Sequence, residues 1–115
     1  MFHGIDIVYV SRFDDLKNNE VFMNKIFTID ELDYIKQRSN NSSTIAGLYA
    51  SKEAFLKSIK KGINDYSLKD IEVYHDLNNA PSIRLHNDLY EYNNRNISLS
   101  ISHDNDYAIA SVLIV

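Results

Sequence analysis

The segment that decides the fold is residues 44–61, with the sequence TIAGLYASKEAFLKSIKK. Small residues at positions 46, 47, 50 and 54 line it at short intervals, so another element can approach closely. Gly62 follows directly and predicts the end of a helix. The segment therefore predicts a long helix over residues 44–61. The apolar residues that recur at the spacing of one helix face are Ile45, Tyr49, Leu56 and Ile59.

Strand patterns lie on both sides of this helix. Residues 2–10 mix β-branched and aromatic residues around a single carboxylate, Asp6, and predict a strand. After the helix, turn-rich links separate apolar segments and predict two hairpins. Their strands are expected at residues 71–75 with 82–85 and at residues 97–102 with 107–113. The pattern predicts an α+β fold, in which a small antiparallel-rich sheet packs on the one long helix.

Shorter helices are expected between the first strand and the long helix. Ser11 is a candidate N-cap for a helix over residues 12–18. Thr28 and Glu31 have the spacing of a capping box, which predicts a helix from Thr28 to about Arg38. The polar residues 39–43 predict a loop, and residues 86–92 a short helix.

Length and composition limit the classes of protein. The 115 residues predict a single domain, 1–115, and 44% hydrophobic with 24% charged residues is typical of a globular chain. The net charge of −4 makes a nucleic-acid-binding role a poor fit, because phosphate binding needs a concentrated basic face. The absence of cysteine excludes disulfides, thiolate metal sites and cysteine nucleophiles.

The N-terminal residues and the apolar segments indicate the cellular location of the protein. The chain begins MFHGID, with no basic region followed by an apolar run, so no signal peptide is predicted. Its longest apolar segments, residues 5–10 and 108–115, are too short to span a bilayer. We therefore expect a cytoplasmic protein.

Asp6 is the first candidate for chemistry. A carboxylate in the middle of an apolar strand is unusual, because burying an ionised group without a partner is costly. One interpretation is that the side chain points to solvent from the open face of the strand. The other is that it belongs to a site.

Glu53 and Lys57 are the second candidates. They lie four residues apart on one helix face, so they could form a surface ion pair stabilising the helix by about 0.3–0.5 kcal/mol. Alternatively, the carboxylate and the ammonium could serve a metal and a phosphate together. Asp6 and Glu53 are two hard oxygen ligands of the kind that Mg²⁺ prefers, with water and phosphate oxygens completing its coordination.

The strand of residues 98–103 is the third candidate, with the sequence SLSISH. Its alternation places three serine hydroxyls on one face, and His103 stands at the strand exit, where ligands often bind. A polar outer face with a turn histidine is the alternative. Nothing resembles a nucleophile elbow, which weighs against a serine hydrolase. Three glycines cannot form a dinucleotide fingerprint or a Walker loop, so side chains, a metal and a helix end must hold any phosphate.

Three segments together resemble the holo-acyl-carrier-protein synthases, the small members of the 4′-phosphopantetheinyl transferase superfamily. Residues 4–12, GIDIVYVSR, resemble the opening strand of that family, and residues 46–57, AGLYASKEAFLK, its long-helix motif. Residues 100–103, SISH, with 107–110, YAIA, are similar to its C-terminal strand pair. Weaker matches are Phe27-Thr28 with Glu31, and residues 79–81. The resemblance covers essentially the whole chain in the family's order.

This resemblance implies an activity and an assembly. The family transfers 4′-phosphopantetheine from coenzyme A to a serine hydroxyl of apo acyl carrier protein and releases adenosine 3′,5′-bisphosphate, a step of fatty acid biosynthesis. It implies a 4′-phosphopantetheinyl transferase-like fold and a homotrimer with active sites between subunits. Two alternatives stay open at this point: a metal-dependent phosphohydrolase using the same carboxylates, and a non-catalytic module that binds carrier proteins.

The resemblance also implies roles for residues at matching positions. Asp6 and Glu53 match the carboxylates that bind Mg²⁺. Lys57 matches a catalytic-site lysine near the coenzyme phosphates, and His103 a histidine of the coenzyme A pocket. Glu53 is the expected base for the serine proton, directly or through a metal-bound water, and a water held by Asp6 is the alternative.

Docking of the acidic carrier needs a local basic patch, because the chain itself is acidic. Arg12 matches a basic residue expected to meet the carrier. With Lys17 and Lys25, it is expected to form a docking face on the first helical segment.

Two positions depart from the family pattern. Leu48 stands where the helix motif usually has a basic residue, so one coenzyme phosphate contact is missing. Lys60 and Lys61 replace the small residues that usually precede Gly62. The two lysines could supply the missing positive charge, or they could only complement the helix dipole.

Overall fold

A computed structural model describes residues 1–115, with strands at both ends of the chain. The α-helices are α1 (Phe13–Leu16), α2 (Glu20–Ile26), α3 (Ile29–Gln37) and α4 (Ser42–Ser58). The strands are β1 (Phe2–Tyr9), β2 (Ile71–His75), β3 (Pro81–Leu85), β4 (Ile97–Asp104) and β5 (Tyr107–Ile114). Short 3₁₀ helices cover Val10–Arg12, Leu68–Asp70 and Asn87–Asn94.

The strands form two antiparallel sheets. A three-stranded sheet has the order β1-β5-β4, so the first strand of the chain pairs with the last, and β2 pairs with β3 in a separate hairpin. In the larger sheet Asp6 lies opposite Ala110, and His103 lies opposite Ala108. The predicted α+β fold and both predicted hairpins are confirmed.

Helix α4 packs against the inner face of the larger sheet, and its small residues allow the contact. A Cβ atom on Gly4 of β1 would clash with the Ala54 carbonyl oxygen and lie 2.6 Å from the Ser58 nitrogen. At the other end of the contact, a Cβ atom on Gly47 would lie 2.9 Å from His103 Nε2. The predicted close approach to the helix is therefore confirmed, and both β1 and β4 approach it closely.

The long helix starts and stops at other residues than predicted. It begins at Ser42, because the Asn41 side chain accepts a hydrogen bond from the Ser43 amide at 2.7 Å and caps it there. It ends at Ser58, and the left-handed residue after it is Lys60, with φ 62°, rather than Gly62. The Lys61 amide donates to the Leu56 carbonyl at 2.8 Å and closes the last turn.

The region between β1 and α3 also differs from the prediction. A helix over residues 12–18 capped by Ser11 is wrong: a 3₁₀ turn precedes the four-residue α1, and no side chain caps either. A separate helix, α2, follows because Asn19 accepts from the Phe22 amide at 3.1 Å. The predicted helix over 86–92 is a 3₁₀ helix, whereas the capping box of Thr28 and Glu31 is confirmed.

A buried ion pair ties the helices to the hairpin β2–β3. The fully buried Lys52 donates to the Glu31 carboxylate at 2.8 Å, to the Leu68 carbonyl at 3.0 Å and to the Ile71 carbonyl at 2.6 Å. Glu31 also accepts from the Val73 amide at 2.8 Å. Burial lowers the pKa of Lys52, and Glu31 opposes that effect. All three ammonium protons are used inside the core, so Lys52 links α4, α3 and β2.

None of the helices combines the length and the apolar character needed to cross a bilayer.

Candidate active site

Asp6 is the centre of the site, and it is buried. Alternate residues of β1 face α4, and Asp6 lies on that inner face with Gly4 and Val8. Its side chain is 6% exposed, so the interpretation that it points to solvent is wrong. One carboxylate oxygen, Oδ1, accepts from Lys57 Nζ at 2.8 Å, whereas the buried Oδ2 has no hydrogen-bond partner.

Glu53 and Lys57 lie on the stretch of α4 that faces Asp6. Lys57 pairs with Asp6 rather than with Glu53, so the interpretation of Glu53 and Lys57 as a helix-surface ion pair is wrong. Burial raises the pKa of Glu53, and the neighbouring Asp6 carboxyl raises it further. The hydrogen bond to Asp6 raises the pKa of Lys57. Two carboxyl groups therefore share one site with a single exposed ammonium.

This pair of carboxyl groups fits a hard cation. A buried carboxylate oxygen without a partner is costly, and two adjacent carboxylates repel each other, so a bound cation would relieve both. No cluster of three or more metal-ligating side chains is present. The chain would thus supply two oxygen ligands only, which suits Mg²⁺, because Mg²⁺ usually keeps waters and binds substrate phosphates.

Tyr49 joins the site through its hydroxyl, which the sequence did not reveal. Arg12 Nη2 donates to this hydroxyl at 3.3 Å, and its guanidinium lies 5.0 Å from the Tyr49 ring centre. Burial raises the pKa of Tyr49, and the charge of Glu53 raises it further while Arg12 lowers it. The helical periodicity identified Tyr49 only as a residue of the apolar face.

His103 lines a separate cavity of about 250 Å³ between the N-terminal half of α4 and the hairpin β2–β3. Its Nε2 donates to the Ser43 carbonyl at 2.8 Å, because a carbonyl can only accept. Leu48 faces this cavity, and so does Arg38, which donates to Asn79 Oδ1 at 3.0 Å. Arg38 was not predicted: it follows α3 directly, with no motif around it.

Other predicted site residues lie apart from one another. Lys60 and Lys61 follow the C-terminal end of α4, whereas His103 contacts Gly47 near the other end. From Gly47 to Ser58, eleven positions further along the helix, the distance is about 17 Å, so the structure does not bring His103 and these lysines together. Glu53 and Lys57 lie between them.

The predicted docking residues belong to three elements rather than to one helical segment. Arg12 ends the first 3₁₀ helix, Lys17 follows α1, and Lys25 lies on α2. Lys25 lines an apolar cleft that also contains Tyr49. Lys17 lines a different groove, between α2 and α3.

The largest cavity, of about 850 Å³, contains none of the predicted site residues. It surrounds Glu72, which accepts from Thr28 Oγ1 at 2.7 Å and contacts His86 Nε2 at 3.0 Å. Burial raises the pKa of Glu72, but the hydrogen bonds of Thr28 and His86 and the Arg84 charge outweigh it and lower the pKa overall. The largest cavity is therefore separate from the candidate site at Asp6.

Comparison with known proteins identifies the family. A family model described as the 4′-phosphopantetheinyl transferase superfamily matches residues 3–112. The chain belongs to this superfamily. A holo-[acyl-carrier-protein] synthase of Caldicellulosiruptor saccharolyticus is 42% identical over 114 residues, covering 96% of this chain and 92% of that protein. One from Clostridium botulinum is 42% identical over 115 residues, covering 96% and 94%.

Solved structures of the superfamily have the same fold. The Helicobacter pylori holo-[acyl-carrier-protein] synthase in complex with coenzyme A has a TM-score of 0.86 and 35% identity, covering 98% of this chain and 99% of that chain. The Bacillus anthracis enzyme, in complex with coenzyme A (3′,5′-ADP), has a TM-score of 0.82 and 31% identity, covering 98% and 94%. The predictions of a phosphopantetheinyl transferase and of its fold are confirmed.

Proposed function

We propose that the chain, acting as one domain over residues 1–115, transfers 4′-phosphopantetheine from coenzyme A to a serine of apo acyl carrier protein. The reaction depends on Mg²⁺, releases adenosine 3′,5′-bisphosphate and serves fatty acid biosynthesis. The observation that supports this best is the buried, unpartnered Oδ2 of Asp6 beside Glu53 and Lys57. The names of the relatives and their coenzyme A complexes support the substrates.

Asp6 and Glu53 would hold the magnesium ion. When bound, Mg²⁺ screens the charge of the pyrophosphate and stabilises the leaving phosphate. Asp6 suits this role because β1 and α4 hold it rigidly, with one oxygen already fixed by Lys57. A ligand that is locked in place before the substrate arrives loses little conformational entropy on binding.

Lys57 and Glu53 supply the remaining chemistry. The Lys57 side chain is 56% exposed, so its ammonium can contact a phosphate while it stays near Asp6. The Lys57 ammonium stabilises the charge that develops on the phosphate. Glu53 accepts the serine proton, directly or through a metal-bound water. A water held by Asp6 is the alternative acceptor.

The coenzyme is proposed to extend along α4. His103 and the cavity beside Gly47 lie toward one end of this helix, and Lys57 lies on its C-terminal half. Arg38 faces the same cavity as Leu48, and it offers a cation next to the position that lacks one. Lys60 and Lys61 are proposed to contact the coenzyme phosphates beyond the other end of the helix.

A homotrimer is proposed because the outer face of the larger sheet is apolar. This face lies opposite α4, and β1 and β5 pair side by side on it. Exposed apolar patches of this kind usually mark an interface. Light scattering is expected to give the mass of three chains. The exposed apolar residues of this face are Ile5, Ile7, Tyr9, Tyr107, Ile109 and Leu113.

The carrier protein is proposed to dock at Arg12, Lys17 and Lys25. Acyl carrier proteins are acidic, and the chain has a net charge of −4, so the attraction must be local. Arg12 and Lys25 are both near Tyr49, which is next to the Glu53 carboxyl. Docking there would bring the carrier serine toward Glu53.

Mass spectrometry of an apo carrier protein tests the function. After incubation with the enzyme, coenzyme A and Mg²⁺, the carrier is expected to gain one phosphopantetheine. Asp6→Ala and Glu53→Ala are expected to abolish this gain, whereas the exposed, unpaired Asp33 provides the control Asp33→Ala. Release of bisphosphate without a carrier would favour a phosphohydrolase, and carrier binding without a mass gain would favour a binding module.

A further inference from the structure

The outer face of the larger sheet contains no lysine and no arginine, although the chain has 12 of them. The register of β1, β5 and β4 places four rows of three side chains on this face, away from α4. The buried centre of a protein interface is typically depleted of charged residues in the same way. The four rows are His3, Leu113 and Ser98; Ile5, Ser111 and Ser100; Ile7, Ile109 and Ser102; and Tyr9, Tyr107 and Asp104.

Only His3 and Asp104 on this face belong to residue types that carry a charge near neutral pH, and they occupy different surroundings. Asp104 ends the edge strand β4, in the last row and next to the turn. His3 lies in the first row, about 20 Å away along the strands. Its Nε2 is 3.1 Å from the hydroxyl oxygen of Ser111, which lies in the second row on the central strand β5. The His3 ring therefore reaches inward across the face, toward the row that contains Ile5.

His3 has no carboxylate partner that would favour its charged form. A serine hydroxyl can donate to a neutral imidazole or accept from it, so the contact with Ser111 suits an uncharged ring. None of the ion pairs of the structure involves His3. The other charged groups nearby are the chain ends at Met1 and Val115, of opposite sign, and Arg95. The Arg95 guanidinium lies 5.3 Å from the ring centre of Phe2, which belongs to the opposite face of β1.

From this arrangement we infer that His3 makes the assembly of the chain sensitive to pH: copies associate through this face while His3 is neutral and separate when it is protonated. Covering the face with another copy would take the ring out of water, and a charge buried without a partner is costly. Symmetry would also bring the same positive charge from every copy to the interface. An imidazole ordinarily changes its charge between about pH 5 and about pH 8. The inference rests on the proposed function, because that proposal includes the homotrimer.

Sedimentation velocity over a range of protein concentrations, at about pH 8 and about pH 6 and constant ionic strength, tests the inference. His3→Gln removes the charge at both pH values, and His3→Lys keeps it at both; His3 is exposed in the single chain, so both variants are expected to fold. His86→Gln is the matched control, since His86 lies on the other hairpin side of the molecule and glutamine can still donate to Glu72. Circular dichroism at both pH values separates loss of assembly from unfolding.

The parent is expected to be a trimer at about pH 8 and to need at least about tenfold more protein for half-assembly at about pH 6, because like charges at an interface repel. His3→Gln should assemble equally well at both pH values, His3→Lys should assemble poorly at both, and His86→Gln should match the parent. A parent whose half-assembly concentration changes less than twofold would overturn the inference. So would a His3→Gln protein with the pH dependence of the parent, which would assign that dependence to the terminal amino group or to another residue.

Two outcomes separate this inference from the proposed function. A parent that is a single chain at about pH 8 would overturn both the homotrimer and the role of His3. The mass gain of an apo carrier protein is measured independently on the same samples. If assembly depends on His3 as expected but the carrier gains no phosphopantetheine, the proposed transfer fails while the role of His3 stands.

Discussion

Replacing Asp6 by asparagine separates a structural role of this residue from a role in binding a cation. Asparagine keeps the shape of the side chain and still offers an oxygen to Lys57 Nζ, which lies 2.8 Å from Oδ1. It removes the charge and puts an amide in place of one carboxylate oxygen. That amide can donate to the neighbouring Glu53 carboxyl.

The expected change in stability of the metal-free protein follows from two features of the structure. Lys57 is largely exposed, so its ion pair with Asp6 contributes about 0–1 kcal/mol. The unpartnered buried Oδ2 costs about 1–3 kcal/mol. The second effect is larger, so Asp6→Asn is expected to stabilise the metal-free protein by about 1 kcal/mol, or about 4 °C in Tm.

With a divalent cation bound, the parent is expected to be more stable than Asp6→Asn. At a cation concentration 100 times its Kd, binding stabilises the parent by about 2.7 kcal/mol, or roughly 10 °C in Tm. The variant is expected to gain almost none of this, because it has lost one of the two charged ligands.

Thermal melting in a chelator and in a Mg²⁺ series, with coenzyme A present, measures both effects. Asp33→Asn is the control, since Asp33 is exposed and unpaired, and it should behave as the parent in both conditions. A metal-free Asp6→Asn protein that melts about 8 °C below the parent would refute the reasoning, because Asp6 would then be a structural partner of Lys57.

Three further predictions concern other parts of the molecule. Burial and Asp6 raise the pKa of Glu53 above its ordinary 4.5. Above pH 4.5 the unfolded chain therefore binds fewer protons at Glu53 than the folded protein does. The free energy of unfolding of the parent is expected to fall as pH rises through the raised pKa. Denaturant unfolding in a chelator should show that Glu53→Gln loses this pH dependence. A variant whose free energy of unfolding changes with pH as steeply as that of the parent would contradict the prediction. Lys52→Met leaves the Glu31 carboxylate buried without its ammonium and should cost about 3–5 kcal/mol in urea unfolding, whereas the exposed Lys36→Met should cost little; equal costs would argue against the buried pair. Arg12→Glu should raise the KM for the carrier but leave that for coenzyme A unchanged, and an unaltered carrier KM would remove Arg12 from the docking face.

Local patterns in the sequence were sufficient for most of the fold. The helical spacing around residues 44–61 and the alternation in both hairpins depend on near neighbours, and the structure confirms these elements. The errors fall at the ends of α4 and in residues 10–26, where the predicted helix over 12–18 is wrong and α2 was not predicted. Asn41 moves the start of α4 to Ser42, and Lys60 adopts the left-handed conformation that was expected of Gly62. A cap can form at any of several adjacent polar residues, so the sequence alone does not choose among them.

The candidate site was predicted in part. Asp6, Glu53 and Lys57 were identified from their residue types and from the family resemblance, and the structure brings them together. Tyr49 and Arg38 were missed because their partners are far away in sequence. These contacts join residues 37 and 41 positions apart. No periodicity covers such separations.

The sequence by itself determined most of the elements, the family and the three charged groups of the site, because spacing and residue type are local properties. Only the tertiary structure decided that Asp6 is buried, that Lys57 pairs with it rather than with Glu53, and that one of its oxygens is left without a partner. These facts depend on which face of β1 meets α4. That choice is made when glycine and alanine allow the strand and the helix to touch.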